Sequence, residues 1–324
     1  MLDIVITHYK EPWSVCKRIF QTLDAQLGVD WNQIYVTVVN DGGEMLPEEQ
    51  LEDLNFRCVQ LNIPHGGVSA ARNAGLDHAE EPWVMFCDCD DCLSNVFALA
   101  DILNVLQSPA EQKYDMMWTN VWAQKPDGLV YQIPEKKIMV FIHGKIYRRE
   151  FLLAQGIRFD ESLSFNEDGC FNATTMARTV NTRIGEVRTF APAYVWVRRE
   201  DSVTSAEDAA DKSAIGQFHR NLIVTEEIRR HKPEEYAGMV TRTVYDTYFM
   251  AHTRKFSDSC KQEILKEFRV WISSMGRADE FGKVKQDILE KIRAISRQEL
   301  TVKGDVIRAN VGSVISWISE VMQT

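Results

Sequence analysis

Four apolar runs of strand length alternate with segments of helical periodicity in the first 90 residues, and three of those runs stop at a polar motif. Leu2 to Thr7 is the first run. Pro12 then opens a segment whose apolar residues Cys16, Ile19, Phe20, Leu23 and Leu27 recur at helical spacing. Ile34 to Asn40 (IYVTVVN), Arg57 to Asn62 and Trp83 to Cys87 read as further strands, with a helix over Val68 to Ala79. This βαβαβαβ order predicts an α/β fold: a mixed, mainly parallel sheet with helices on both faces. In open sheets of this kind ligands bind beyond the carboxyl ends of the strands. The segments THYKEP, NDGG and CDCDDC are therefore expected to converge.

Further along, short strands are predicted between Tyr114 and Trp122 and between Leu129 and Ile142, then helices over Arg148 to Gln155 and Asp168 to Thr179, and a strand at Tyr194 to Val197. The polar stretch from Arg198 to Gly216 has no periodicity and reads as a mobile loop that could close over a ligand. Beyond it the pattern is helical, ending on a face lined by Val314, Ile318, Val321 and Met322. Two domains are expected, 1–205 and a helical region 206–324. The second could pack on the first, dimerise or rest on a membrane surface.

Charge narrows the function classes. The net charge of −10 argues against a nucleic acid held through its phosphates. That charge is uneven, −13 over residues 1–210 and +3 over 211–324, so a diphosphate bound in the first half needs a cation beside it. Seven cysteines in a long chain read as reduced thiols. Without a run of about 18 apolar residues or a cleavable leader, a cytoplasmic location is expected, with peripheral contact at the inner face of a membrane left open.

The stretch VMFCDCDDCLS holds two candidate metal sites. In extended backbone Asp88 and Asp90 share one side and Cys87 and Cys89 the other. A zinc site on Cys87, Cys89 and Cys92 lacks a second ligand pair, and buried thiols behave as small hydrophobes. Three carboxylates after a buried run are costly unless they share a cation, and oxygen donors suit Mg²⁺ or Mn²⁺. Capping of the following helix, with Asp91 as the candidate, accounts for one Asp and not three.

The series DIVITHYKEPWSV, VVNDGG, GGVSAARNAGLDHA, MFCDCDDCLS, HGKIYRREFL and FNEDGCF resembles, in order and spacing, the GT-A family 2 glycosyltransferases. The resemblance covers roughly residues 1–205. It implies that Thr7, Tyr9 and Glu11 cradle the nucleoside of a sugar nucleotide, that Asp41 contacts the base, and that Arg72 lies near base or diphosphate. Asp88 and Asp90 would form the DxD element, Asp88 near the ribose or metal and Asp90 ligating Mn²⁺ or Mg²⁺. Asp168 matches the catalytic base. Implied partners are a nucleoside-diphosphate sugar, UDP-sugars favoured, and a glycan or glycolipid acceptor. The expected reaction is inverting transfer of a hexosyl or N-acetylhexosaminyl group. The chain departs from the family in Asn40-Asp41-Gly42-Gly43, where Asp-Asp-Gly-Ser is usual, and in Pro64-His65, where many members have Asn before the Gly. Ser205 also stands where some members carry a histidine ligand.

Blander roles stand beside these. Glu167 and Asp168 also suit the first turn of a helix; His8, His65 and His143 could line the site but more often suit structural positions; Lys145, Arg148 and Arg149 read as a solvated basic face, with Lys145 or Arg148 reaching phosphate as the alternative, and Trp118 and Trp122 as core, with stacking on a sugar ring as the alternative. The competing functions are a phosphatase with Asp88 as nucleophile, a non-catalytic sugar-nucleotide or glycan-binding module, and a retaining hydrolase.

Overall fold

The computed structural model describes residues 1–134, 140–189, 191–199, 208–276, 300–302, 305–307 and 311–323, which fall into two compact units, Met1–Ser202 and Val203–Thr324. In the first unit, β1 (Leu2–His8), α1 (Trp13–Asp24), β2 (Ile34–Asp41), β3 (Arg57–Ile63), α2 (Val68–His78) and β4 (Trp83–Asp88) follow the predicted order. Then come β5 (Cys92–Leu93), α3 (Ala98–Gln107), β6 (Met116–Trp118), β7 (Val121–Gln124), β8 (Val130–Gln132), β9 (Lys145–Arg148), β10 (Ile184–Glu186) and β11 (Tyr194–Val197). Helices Arg149–Ala154 and Glu167–Arg178 lie between β9 and β10.

Seven strands form one sheet in the order β10-β6-β9-β4-β1-β2-β3. β4, β1, β2 and β3 are mutually parallel, while β9 runs antiparallel to both β4 and β6. Every residue of β1 is buried, as a central strand covered on both faces requires. One face packs on α1 through Cys16, Ile19, Phe20 and Leu23. On the other, Val5, Ala71, Leu76 and Phe86 share a core with Tyr147, Phe159 and Phe171. A second sheet, β5-β11-β7-β8, places Tyr194 to Val197 beside the end of β4.

Several expectations change. Leu27 lies beyond the end of α1 and is 53% exposed. Of the short strands predicted between Leu129 and Ile142, Val130–Gln132 is the one seen among the described residues, and 135–139 lies outside them. Lys145 to Arg148 is not a solvated face but β9, inside the sheet, with Lys145 fully buried. A run this short carries no period long enough to read. The stretch Arg198 to Gly216 is not all loop: a helix runs from Ala209 to His231, and 200–207 falls outside the described residues.

The second unit contains helices Ala209–His231, Tyr236–His252, Asp258–Gly276 and Val311–Gln323 around a core of Phe218, Val240, Val244, Ile264, Phe268 and Trp317. A two-stranded hairpin, Leu300–Val302 with Asp305–Ile307, interrupts the helical pattern. Among the described residues no helix is long and apolar enough to cross a membrane.

α2 reaches the sheet because Gly75 faces Val5, where an added Cβ would lie 2.2 Å from Val5 Cγ1. Val5 is itself fully buried and has no room to yield. Gly75→Ala is therefore expected to destabilise the protein by about 1–3 kcal/mol, measurable as a lowered urea midpoint at unchanged slope.

Candidate active site

The ends of β1, β2 and β4, the start of α2 and the start of helix Glu167–Arg178 bring the predicted residues into three ionic groups. The first is centred on Arg72, in the first turns of α2 and 2% exposed. Its Nη2 donates to Asp88 Oδ1 at 2.9 Å, and its Nη1 donates to Asp168 Oδ1 at 2.6 Å and Glu167 Oε1 at 3.1 Å. Thr7 Oγ1 adds a longer bond to Asp88 Oδ1, 3.4 Å. Asn166, left-handed at φ 63°, turns the chain so that Glu167 and Asp168 occupy the first turn of their helix, where the dipole favours acids. Ile142 N–H donates to Asp168 Oδ2 at 3.0 Å. Thr7, Arg72, Asp88 and Asp168 thus meet, and Glu167, which the sequence offered only as a helix-start acid, joins them.

The second group lies at the end of β2. Asp41 is buried and accepts from Gly66 N (2.7 Å), Gly67 N (2.9 Å) and His65 Nδ1 (2.8 Å). His65 stacks on Tyr9. In the third group, Arg199 Nε donates to Asp90 Oδ2 at 2.8 Å and its Nη2 lies 3.6 Å from Glu11 Oε1. Glu11 Oε2 accepts from the Tyr9 N–H.

β4 ends at Asp88 and the chain turns at Cys89 and Asp90, so the strand alternation expected through Asp90 stops there. Asp88 and Asp90 consequently face different partners. Asp91, fully buried, does not cap a helix: it accepts from Tyr194 Oη (2.6 Å) and Val197 N (2.7 Å). His143 Nε2 stands 3.4 Å from Asp88 Oδ2 and 3.3 Å from Asp91 Oδ2. Neither ring nitrogen of His143 makes a bond of hydrogen-bond geometry. The thiols Cys87 and Cys89 pack into the apolar core.

Electrostatics follow this layout. Burial opposes ionisation of Asp88, but Arg72 and His143 outweigh it and hold the carboxyl well below the usual range. Burial likewise disfavours a charged His143, and the two carboxylates overcome it, raising its pKa to about 10. Asp90, pushed by burial and then by Asp91 and Asp88, rises to about 7 despite Arg199. Glu167 rises to about 7 through burial and Asp168, with Arg72 opposing. Burial drops Lys145 to about 7, against the pull of Asp168; its Nζ donates to His143 O.

The donor set fits a divalent cation. Asp88, Asp91 and His143 offer ligand atoms within 4.8 Å of one another; the carboxylates suit Mn²⁺ or Mg²⁺, and the imidazole suits transition metals. The sequence signalled the carboxylates; His143, Tyr194 and Arg199 carry no local pattern and become visible only through the antiparallel insertion of β9 and the placement of β11.

Residues 3–162 match the family model described as glycosyl transferase family 2. The uncharacterized glycosyltransferase EpsJ of Bacillus subtilis is 26% identical over 198 residues, covering 53% of this chain and 55% of that protein. The minor teichoic acid biosynthesis protein GgaA of the same organism is 26% identical over 188 residues, covering 53% of this chain and 42% of GgaA. The chain thus spans about half the length of these relatives. The crystal structure of S. aureus TarS 1–349 in complex with UDP-GlcNAc superposes with a TM-score of 0.67 at 18% identity, covering 99% of this chain and 89% of TarS 1–349.

Two outcomes test the electrostatics. Arg72→Met strands three partly buried carboxylates, an expected loss of about 1–3 kcal/mol at pH 8 in urea titrations; the loss shrinks toward pH 5 as the orphaned acids take up protons. Glu167, raised from 4.5 to about 7, keeps a proton in the native state that the unfolded chain releases. Stability therefore falls as pH rises through that window, and in EDTA the Tm of Glu167→Gln should gain on wild type from pH 5 to pH 8. The fold is GT-A, and residues 3–162, close to half of the chain, are a match to glycosyl transferase family 2.

Proposed function

We propose that this chain is an inverting, metal-dependent glycosyltransferase that moves a hexosyl or N-acetylhexosaminyl group from a nucleoside-diphosphate sugar, a UDP-sugar first among them, to a hydroxyl of a glycan or glycolipid. The observation that carries the reading is Arg72, which ties Asp88 at the end of β4 to Asp168 on the facing helix. The donor side and the base side of a displacement are thereby held by one buried cation. The family match and the UDP-GlcNAc complex of TarS support the donor class.

Asp88, Asp91 and His143 would hold Mn²⁺ or Mg²⁺, which when bound neutralises charge on the departing diphosphate. Thr7, Tyr9, Glu11 and Asp41 would cradle the nucleoside, and Asp90 with Arg199 would flank it. Arg72 keeps a buried Nε without a hydrogen-bond partner, so the guanidinium has a donor to gain by turning toward a phosphate oxygen. Once the guanidinium turns to the diphosphate, Asp168 is released from its closest cation. It then takes the proton of the acceptor hydroxyl as that oxygen bonds to the anomeric carbon. The carbon–phosphate-oxygen bond breaks, its electron pair leaves with the diphosphate, and a single displacement inverts the centre. The proposed catalytic domain spans 1–205, with 206–324 as a packing or association region. The proposed place of action is the cytoplasm or the inner face of a membrane.

Asp168→Asn is expected to lower turnover at least 10²-fold while donor binding, measured by calorimetry, stays within threefold of wild type. Wild type that binds donor without turning it over, by transfer or hydrolysis, would instead support a binding module. His143→Ala is expected to weaken Mn²⁺-dependent UDP binding about 10-fold or more and to leave binding in EDTA unchanged. Equal Mn²⁺ dependence in both proteins would remove His143 from the metal site.

A further inference from the structure

Two departures from the family pattern, Gly43 and His65, meet in space against Tyr9. A Cβ on Gly42, whose φ is +77°, would lie 2.7 Å from His65 N, and one on Gly43 would lie 1.5 Å from Tyr9 O. The two glycines let the β2 turn close onto both neighbours, as no bulkier residue could. The imidazole of His65 lies parallel to the Tyr9 ring, with centroids 4.4 Å apart and planes 8° apart.

The hydrogen bonds of His65 fix its tautomer. Nδ1 is 2.8 Å from Asp41 Oδ2 and 3.2 Å from the Asp41 carbonyl oxygen. Both neighbours only accept, so Nδ1 carries the hydrogen, and in the neutral ring Nε2 carries a lone pair. The His65 side chain is 56% exposed and the Asp41 side chain 6%. The Asp41 carboxylate is also occupied by Gly66 N–H and Gly67 N–H. The accessible acceptor at this corner belongs to His65, and Asp41 orients it.

We propose that His65 reads the donor nucleobase, accepting a hydrogen bond through Nε2 from a base whose ring nitrogen bears a hydrogen. Uracil and guanine qualify; cytosine and adenine present an acceptor there, and two facing lone pairs leave both groups unsatisfied. Asp41 and Tyr9 act as positioning residues, the first setting the tautomer and the second the plane of the ring. This rests on the nucleotide-sugar reading above and narrows it to a base class. Because each pair of bases is nearly isosteric, discrimination comes from hydrogen bonding and not from size.

The test is calorimetric binding of UDP and CDP, and of GDP and ADP, with Mn²⁺, to wild type and His65→Phe. Phenylalanine keeps a flat ring for the stack and removes Nε2. Wild type is expected to bind UDP at least about 10-fold tighter than CDP, with the same sense for GDP over ADP if a purine binds. His65→Phe should bind UDP and CDP within about threefold of each other. Equal UDP and CDP affinities in wild type, or an unchanged preference in His65→Phe, would overturn the proposal and leave the donor reading standing. Failure of wild type to bind any of the four would overturn the donor reading and this proposal with it.

Discussion

A single guanidinium, buried to 2% exposure, meets three carboxylates from two separate parts of the chain. One cation cannot neutralise three anions, and burying each costs several kcal/mol unless it is paired or protonated. The chain meets this partly by placing His143 and Lys145 nearby, and partly by raising the pKa of Glu167 to about 7. With His143 charged and Glu167 partly protonated, the cluster comes close to balance without a metal. A divalent cation at Asp88, Asp91 and His143 would take the place of the imidazole proton.

The sheet delivers these groups with little freedom. β1, β2 and β4 are parallel neighbours, so their carboxyl ends open on the same edge. α2 begins beside that edge and carries Arg72 inward, pressed onto β1 by the contact of Gly75 with Val5. β9, antiparallel to β4, brings His143 back past the end of β4, and β11 contributes Tyr194 and Val197 to fix Asp91. Of the metal-ligand candidates, Asp88 ends β4, Asp91 directly precedes β5 and His143 lies two residues before β9, so each is tied to a strand, which limits the reorganisation needed when a ligand binds.

Much of this was legible in residues 1–90, because continuous β-branched runs and a period of 3.6 leave few alternatives for a strand or a helix. β9 was not: four residues, KIYR, bracketed by charge, look like surface until a sheet closes over them. The carboxylates of CDCDDC were readable as a site, but their individual directions were not, since the chain leaves the strand at Asp88 and the alternation rule ends with it. Asp90 consequently faces Arg199 and Asp91 faces β11. The histidines carried no local signal at all. A lone imidazole gains meaning from what surrounds it, and for His143 and His65 those neighbours lie as much as 55 and 56 residues away in sequence.

Anomalous diffraction at the manganese edge, from crystals grown with Mn²⁺ and UDP, bears most directly on the carboxylate and histidine cluster at the end of β4. A peak bonded to Asp88 and His143, with Arg72 turned toward the diphosphate, is the predicted result. A peak bonded to Asp90 with Arg199 displaced, or UDP bound with no metal near Asp88, would contradict it.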